Sequence, residues 1–196
     1  MPADSVTKAS VNHEGGIGLP SQAMPIRIRD AKNSASDRTW IQSQYLEYLE
    51  DLSQLSMNTG MFPAAGEYGE RESELMARWF ADDSAHPLII LKNDRPAGFA
   101  LVSRPPRNQR DQVDFRMSEF FVAVDVRRLG VGKDAARLIF DRFAGAWEIT
   151  EFLYNQPAIS FWRAIVNDYT QGRFRESVAH GEVRQSFTSR NVAVKK

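Results

Sequence analysis

The sequence predicts an α+β fold (α/β in looser schemes), built on a mixed, mostly antiparallel sheet flanked by helices. Three observations carry that prediction. Short apolar runs alternate with helical stretches in the order β-α-α-β-β-β-α-β-α-β-β. The turn Asn93-Asp94-Arg95-Pro96 joins two apolar runs into a hairpin. A strand, a glycine loop at 127–132, a helix and a strand follow one another, which requires one parallel crossover.

Each element has its own local reason. Pro25-Ile26-Arg27-Ile28-Arg29 alternates and reads as the first strand. Ser36 or Asp37 suits the cap of a helix in which Trp40, Ile41, Tyr45, Leu46, Tyr48, Leu49, Leu52 and Leu55 recur at helical spacing. Residues 57–69 carry Gly and Pro and read as a loop. A second helix is expected over 70–81, with Leu75, Met76, Trp79 and Phe80 on one face. The runs 87–91 and 97–102 form the hairpin, and 104–110 is a basic, Pro-containing loop. In the next strand Val113, Phe115 and Met117 are apolar at odd positions, whereas Phe120, Val122 and Val124 are apolar at even ones. A change of parity means a β-bulge near Ser118 or Glu119, or else a strand buried on both faces. After the glycine loop, Ala135, Ala136, Ile139, Phe140 and Phe143 line a helix that Gly145 is placed to end. Residues 147–153 form a strand. Pro157 opens a helix with Ala158, Phe161, Trp162 and Ile165 on one side, and a hairpin turning at His180-Gly181 closes the fold.

Composition narrows the function. The 196 residues suit one domain: residues 1–23 read as a flexible tail without a signal-peptide core, and 24–196 as the domain. Lys+Arg and Asp+Glu total 25 each, so no basic surface drives binding to nucleic acid or membrane. The absence of cysteine excludes disulfides, thiolate metal sites and a cysteine nucleophile, and fits a cytoplasmic setting. His13 falls in the tail, His86 ahead of a buried strand and His180 in a turn. None pairs with a metal or nucleophile motif, so no metal is expected.

The most informative stretch is Arg127-Arg128-Leu129-Gly130-Val131-Gly132-Lys133. Glycines at a helix start let the backbone approach an anion, and the first N–H groups of the helix are free to bind it. The helix dipole and the charges of Arg127, Arg128 and Lys133 favour a pyrophosphate there. An ordinary turn before a helix has the same composition.

In this setting the loop resembles the Gln/Arg-x-x-Gly-x-Gly/Ala motif of the GNAT family of acyl-CoA-dependent N-acyltransferases. Glu119-Phe120-Phe121-Val122 precedes it as that family's fourth strand does. Asn155-Gln156-Pro157-Ala158-Ile159-Ser160-Phe161-Trp162 is similar to its Asn-x-x-Ala-x-x-aromatic block. The likeness covers roughly residues 24–190, and Gly145-Ala146-Trp147-Glu148 and the Phe161-Trp162 pair look like a bacterial group within it.

The resemblance implies an acyl-CoA cleft between the fourth and fifth strands. Backbone groups of Phe120 and Val122, with Phe121 between them, would pair with the pantetheine arm. Residues 127–133 would hold the pyrophosphate, Asn155 would bond the pantetheine, and Ala158, Phe161 and Trp162 would line the far wall. Acetyl-CoA is then the co-substrate. The acceptor is a primary amine, on a small molecule or a peptide, that attacks directly in a ternary complex. A homodimer is one open oligomeric state. Glu119 is the candidate base, with a purely structural role as its alternative. The family's usual acid is a tyrosine at the position of Trp162, and an indole N–H is not acidic enough to replace it. Unassisted exit of the thiolate, a water, Tyr154 or Tyr169 remain as substitutes. A non-catalytic acyl-CoA-binding or sensing domain is the second reading. Tyr45, Tyr48, Phe62 and Tyr68 are candidates for the acceptor side, or for core.

Overall fold

The computed structural model describes residues 25–57, 76–106 and 113–189. The expected tail, most of the loop at 57–69, Phe62, Tyr68, His13 and much of the basic loop lie outside them. In chain order the elements are β1 (Ile26–Asp30), α1 (Ala35–Met57), α2 (helical at 76–81), β2 (Ala85–Lys92), β3 (Arg95–Ser103), β4 (Phe115–Val122), α3 (Val131–Arg142), β5 (Ala146–Phe152), α4 (Gln156–Thr170), β6 (Phe174–Ala179) and β7 (Glu182–Thr188). One seven-stranded sheet runs β1-β2-β3-β4-β5-β7-β6. β4 and β5 are its parallel pair, and the other neighbours are antiparallel.

Strand alternation sorts the two cores. Phe99, Leu101 and Phe121 pack against Ile41 and Tyr45 of α1 and Met76, Trp79 and Phe80 of α2. Leu88, Ala100, Val102, Phe115 and Met117 point the other way, against Ala136, Ile139 and Phe140 of α3 and Trp162, Ile165 and Val166 of α4. The β2–β3 turn has positive φ at Asn93 and Asp94, 55° and 62°, the left-handed pair a two-residue hairpin needs.

Two caps differ from expectation. Ser34, not Ser36 or Asp37, caps α1: its hydroxyl accepts from Asp37 N–H at 3.2 Å. The Asp37 carboxylate is buried and takes two hydrogen bonds from Arg29, at 2.9 and 2.6 Å. Gly145 does not end α3. It enters β5, its N–H donates to Ser189 Oγ at 2.9 Å, and a Cβ there would lie 2.6 Å from Asp114 Oδ2. Close approach, not turn geometry, selects that glycine. His86 lies inside β2 rather than before it, with Nε2 buried and unbonded among the described residues.

The parity change in β4 is a bulge. Leu101 pairs with Glu119 and Val102 with Met117, so Ser118 is the extra residue. β4 and β5 pair only from Phe115–Trp147 to Met117–Ile149. Beyond the bulge the two strands part.

Gly98 of β3 permits the close contact with β4 beyond the bulge, since a Cβ there would lie 2.3 Å from the Phe121 carbonyl oxygen. Gly98→Ala should therefore lower the urea midpoint by an amount equivalent to about 1–3 kcal/mol, the usual cost of overpacking. A stability unchanged within error would contradict this account.

Candidate active site

The gap between β4 and β5 opens into a cavity of about 360 Å³. α1 contributes Tyr45, Tyr48, Leu49, Leu52 and Ser53, β4 contributes Met117 to Phe120, and β5 contributes Thr150 to Phe152. Tyr154, Asn155, Ala158, Phe161 and Trp162 complete it. The bulge builds this wall: by moving the register one residue it turns Glu119 toward α1 and Phe120 toward α4. The Phe120 ring packs 5.7 Å from Phe161 and 4.9 Å from Trp162, centroid to centroid.

Two carboxyl groups face this cavity. Glu119 Oε2 accepts from the Tyr48 hydroxyl at 2.5 Å. Burial lifts the Glu119 carboxyl to about 7, against the lowering effect of that hydrogen bond, and the nearby Glu151 adds to the rise. Burial and the Glu119 charge hold the Tyr48 hydroxyl well above its ordinary range, so Tyr48 keeps its proton. The second carboxyl, Glu151, belongs to no sequence motif. Its Oε1 accepts from Trp162 Nε1–H at 3.0 Å and its Oε2 from Asn155 Nδ2–H at 3.2 Å. Burial raises it to about 7 as well, with both hydrogen bonds pulling it down. No Lys, Arg or His is among the described residues lining the cavity.

Asn155 has a structural role beside its place in the wall. Its Oδ1 accepts from Ala158 N–H at 3.3 Å and caps α4, a bond worth about 1 kcal/mol. Tyr169 does not reach the cavity. Its hydroxyl donates to Asp141 Oδ1 at 2.7 Å, and its ring is buried between α3, α4 and β7. Tyr154 stands in the wall, its ring stacked on the exposed Phe152 at 5.4 Å.

The glycine loop lies at the end of the same gap, after a 3₁₀ turn at Val124–Val126. Gly130 has φ 82° and is the N-cap of α3, where no side-chain cap hydrogen bond is made among the described residues. A Cβ at Gly130 would meet nothing closer than Asp134 Oδ2 at 4.0 Å, so the concavity is open. Gly132 has another purpose. A Cβ there would come within 3.0 Å of the Phe161 ring, so this glycine lets α3 approach α4. Leu129 is exposed, and Val131 is buried under the sheet. Arg127 Nε donates to the Val122 carbonyl at 2.8 Å, and its Nη2 pairs with Asp51 of α1. Lys133 Nζ lies 3.1 Å from Asp168. Both are exposed pairs of small energetic worth that an incoming anion can redirect. Arg128 has no ion pair among the described residues and sits at φ 63°. The loop thus offers N–H groups, an open concavity and cations, the donor set a pyrophosphate requires.

A family model described as the acetyltransferase (GNAT) family matches residues 46–165. An acetyltransferase from Thermus thermophilus superposes with a TM-score of 0.60 at 13% identity, over 85% of this chain and 98% of that one. The PaiA N-acetyltransferase of Thermoplasma acidophilum, solved with coenzyme A, gives 0.54 at 13% identity over 84% and 99%. A ribosomal-protein-alanine N-acetyltransferase from Brucella melitensis gives 0.51 at 20% identity over 83% and 99%. At these identities the likeness is one of fold. No curated protein matches the sequence.

Glu119 and Glu151 titrate near 7 when folded and in the ordinary carboxylate range, about 4.3, when unfolded. The folded state holds their protons between those limits. Their contribution to stability is complete below the unfolded value and is lost as pH rises through the folded one. Urea midpoints should therefore fall between about pH 5 and pH 8, and fall less in a Glu119→Gln/Glu151→Gln double variant. Parallel slopes in the two proteins would place the titration elsewhere.

Proposed function

The chain belongs to the GNAT acetyltransferase family, and from that premise we propose that it transfers an acetyl group from acetyl-CoA to a primary amine, with Glu119 as the base. The observation that carries this reading is Glu119 at the point where β4 leaves β5, half-buried in the cavity and bonded to Tyr48. In an attack by an amine the nitrogen must shed a proton, and a carboxylate that titrates near neutrality is matched to take it. The Tyr48 hydroxyl fixes the carboxylate's direction.

The other parts fit the same reaction. Acetyl-CoA would lay its pyrophosphate on residues 127–133, at the open N-terminus of α3. Its pantetheine arm would run along β4 beside Phe120 and Val122, opposite Ala158, Phe161 and Trp162. The Val122 carbonyl is held by Arg127 and would have to exchange that partner for the arm. On the other side, Tyr45, Tyr48 and Leu49 offer an apolar entrance that ends in a carboxylate, suited to an amine carried on an apolar body. A sensor that merely binds acyl-CoA has no use for two titratable carboxyls in the cavity where the thioester would lie, which favours catalysis over that second reading.

Thiol release from acetyl-CoA, measured over a panel of amines, tests the proposal. The panel should hold a polyamine, an arylalkylamine, amino acids and a peptide with N-terminal alanine, the last because the Brucella neighbour is a ribosomal-protein-alanine N-acetyltransferase. Turnover of at least one amine is expected. Binding of acetyl-CoA without turnover of any would favour the sensor. Glu119→Gln should lower kcat/KM by about 10²–10⁴ and remove the rise in rate on going up through about pH 7. Gly130→Asp brings a negative charge and a left-handed strain to the loop. It should weaken acetyl-CoA by at least about tenfold in calorimetry, for a stability loss of about 1 kcal/mol. Unchanged affinity would remove the loop from the site.

A further inference from the structure

We propose that the Glu151 carboxyl is the proton donor to the departing coenzyme A thiolate. The inference rests on the acetyl-transfer reading and adds to it the residue that completes the reaction. Its ground is position. Glu151 shares a strand face with Ile149, which packs in the core beneath α4, and it is bonded to two α4-side groups, Trp162 Nε1 and Asn155 Nδ2. Glu119 is bonded to α1 across the same cavity. The two carboxyls therefore flank the gap: one on the α1 side, by which an acceptor would enter, the other on the side of α4, whose Ala158, Phe161 and Trp162 would face the pantetheine arm.

Elimination points the same way. Tyr48 spends its proton on Glu119, and burial beside that carboxyl makes it a poorer acid than a free tyrosine. Tyr169 lies outside the cavity, bonded to Asp141. The Trp162 N–H has no useful acidity, but it orients an acid that has. Tyr154 also stands in the wall, its ring stacked on Phe152, and an intact pH bell in Glu151→Gln would return the role to it. Glu151 is the remaining carboxyl in the wall, and burial leaves a large share of it protonated at neutral pH. The Glu151 charge raises the Glu119 carboxyl, so the two disfavour being ionised together.

The step balances. The amine nitrogen bonds to the acyl carbon, and the nitrogen's proton passes to Glu119. As the carbonyl re-forms, the carbon–sulfur bond breaks with its electron pair on sulfur, and sulfur takes the Glu151 proton. The products are the amide and the free thiol of coenzyme A. Exchange with solvent returns Glu119 to its anion and Glu151 to its acid.

Calorimetry with coenzyme A and with desulfo-coenzyme A, which lacks the thiol, tests the contact without an acceptor. The wild-type protein should prefer coenzyme A severalfold, and Glu151→Gln should abolish that preference. An identical ratio in both proteins would overturn the inference, whereas failure of the wild type to bind either ligand would overturn the acetyl-CoA reading beneath it. With a turned-over amine, Glu151→Gln should cut kcat by about 10²–10⁴ and remove the fall in rate above about pH 7, while Glu119→Gln removes the rise. An intact bell in Glu151→Gln would overturn the assignment. Should Glu151→Gln fail to fold, Trp162→Phe serves in its place. It removes a hydrogen bond that lowers Glu151, so the descending limb should move to higher pH. A limb that stays put would count against Glu151.

Discussion

β4 carries one residue more than β3 can match, and the rest of the site depends on that mismatch. With Ser118 unpaired, the strand rotates by one position. Before the bulge, Phe115 and Met117 feed the core under α3 and α4. After it, the same core receives Phe120, while Glu119 and Phe121 go to the α1 side. A strand that kept its parity would bury Glu119 against the aromatic cluster of α4 and send Phe120 toward α1. The rotation also ends the pairing with β5, because the parallel ladder stops at Met117 and Ile149. One inserted residue both opens the sheet and chooses which side chains face the opening.

The opening is lined mostly by apolar groups, and that sets its chemistry. Two carboxyls placed among Tyr45, Leu49, Phe120, Phe161 and Trp162 lose much of their hydration, which favours the neutral acid. Each carboxyl has donors that pull it back: Tyr48 for Glu119, and Trp162 with Asn155 for Glu151. The balance leaves both near neutrality, where a group gives and takes protons with equal ease. No cation in the described wall pins either one as an anion.

Much of this architecture is legible in the sequence because it is local. Strand parity, the Asn93-Asp94 turn and the proline-started helix at Pro157 are each written within a few residues, and so is the glycine loop. What is not legible depends on partners far along the chain. Ser36 and Asp37 look like better caps than Ser34 until Arg29, on a separate strand, claims the Asp37 carboxylate. Gly145 reads as a helix end because nothing nearby announces the approach of Asp114. The Gly132 contact with Phe161 is likewise invisible in a motif that already accounts for a glycine. Glu151 sits in Thr150-Glu151-Phe152 with no signature of its own. Its meaning comes from Asn155 and Trp162 on the next element and from Glu119 on an earlier strand. The one available signal is its odd-numbered register with Trp147 and Ile149, which puts a charged residue on an apolar face.

Asn155 uses its two amide atoms on two tasks: the oxygen starts α4, and the nitrogen holds Glu151. These tasks cannot be separated in time. A fraying of the first turn of α4 would take Asn155 from its place and cost Glu151 one of its two anchors in the same event. Local opening of that single helical turn would free the Glu151 carboxyl from Asn155 without unfolding the sheet. Amide-hydrogen exchange at Ala158 would count how often that opening occurs.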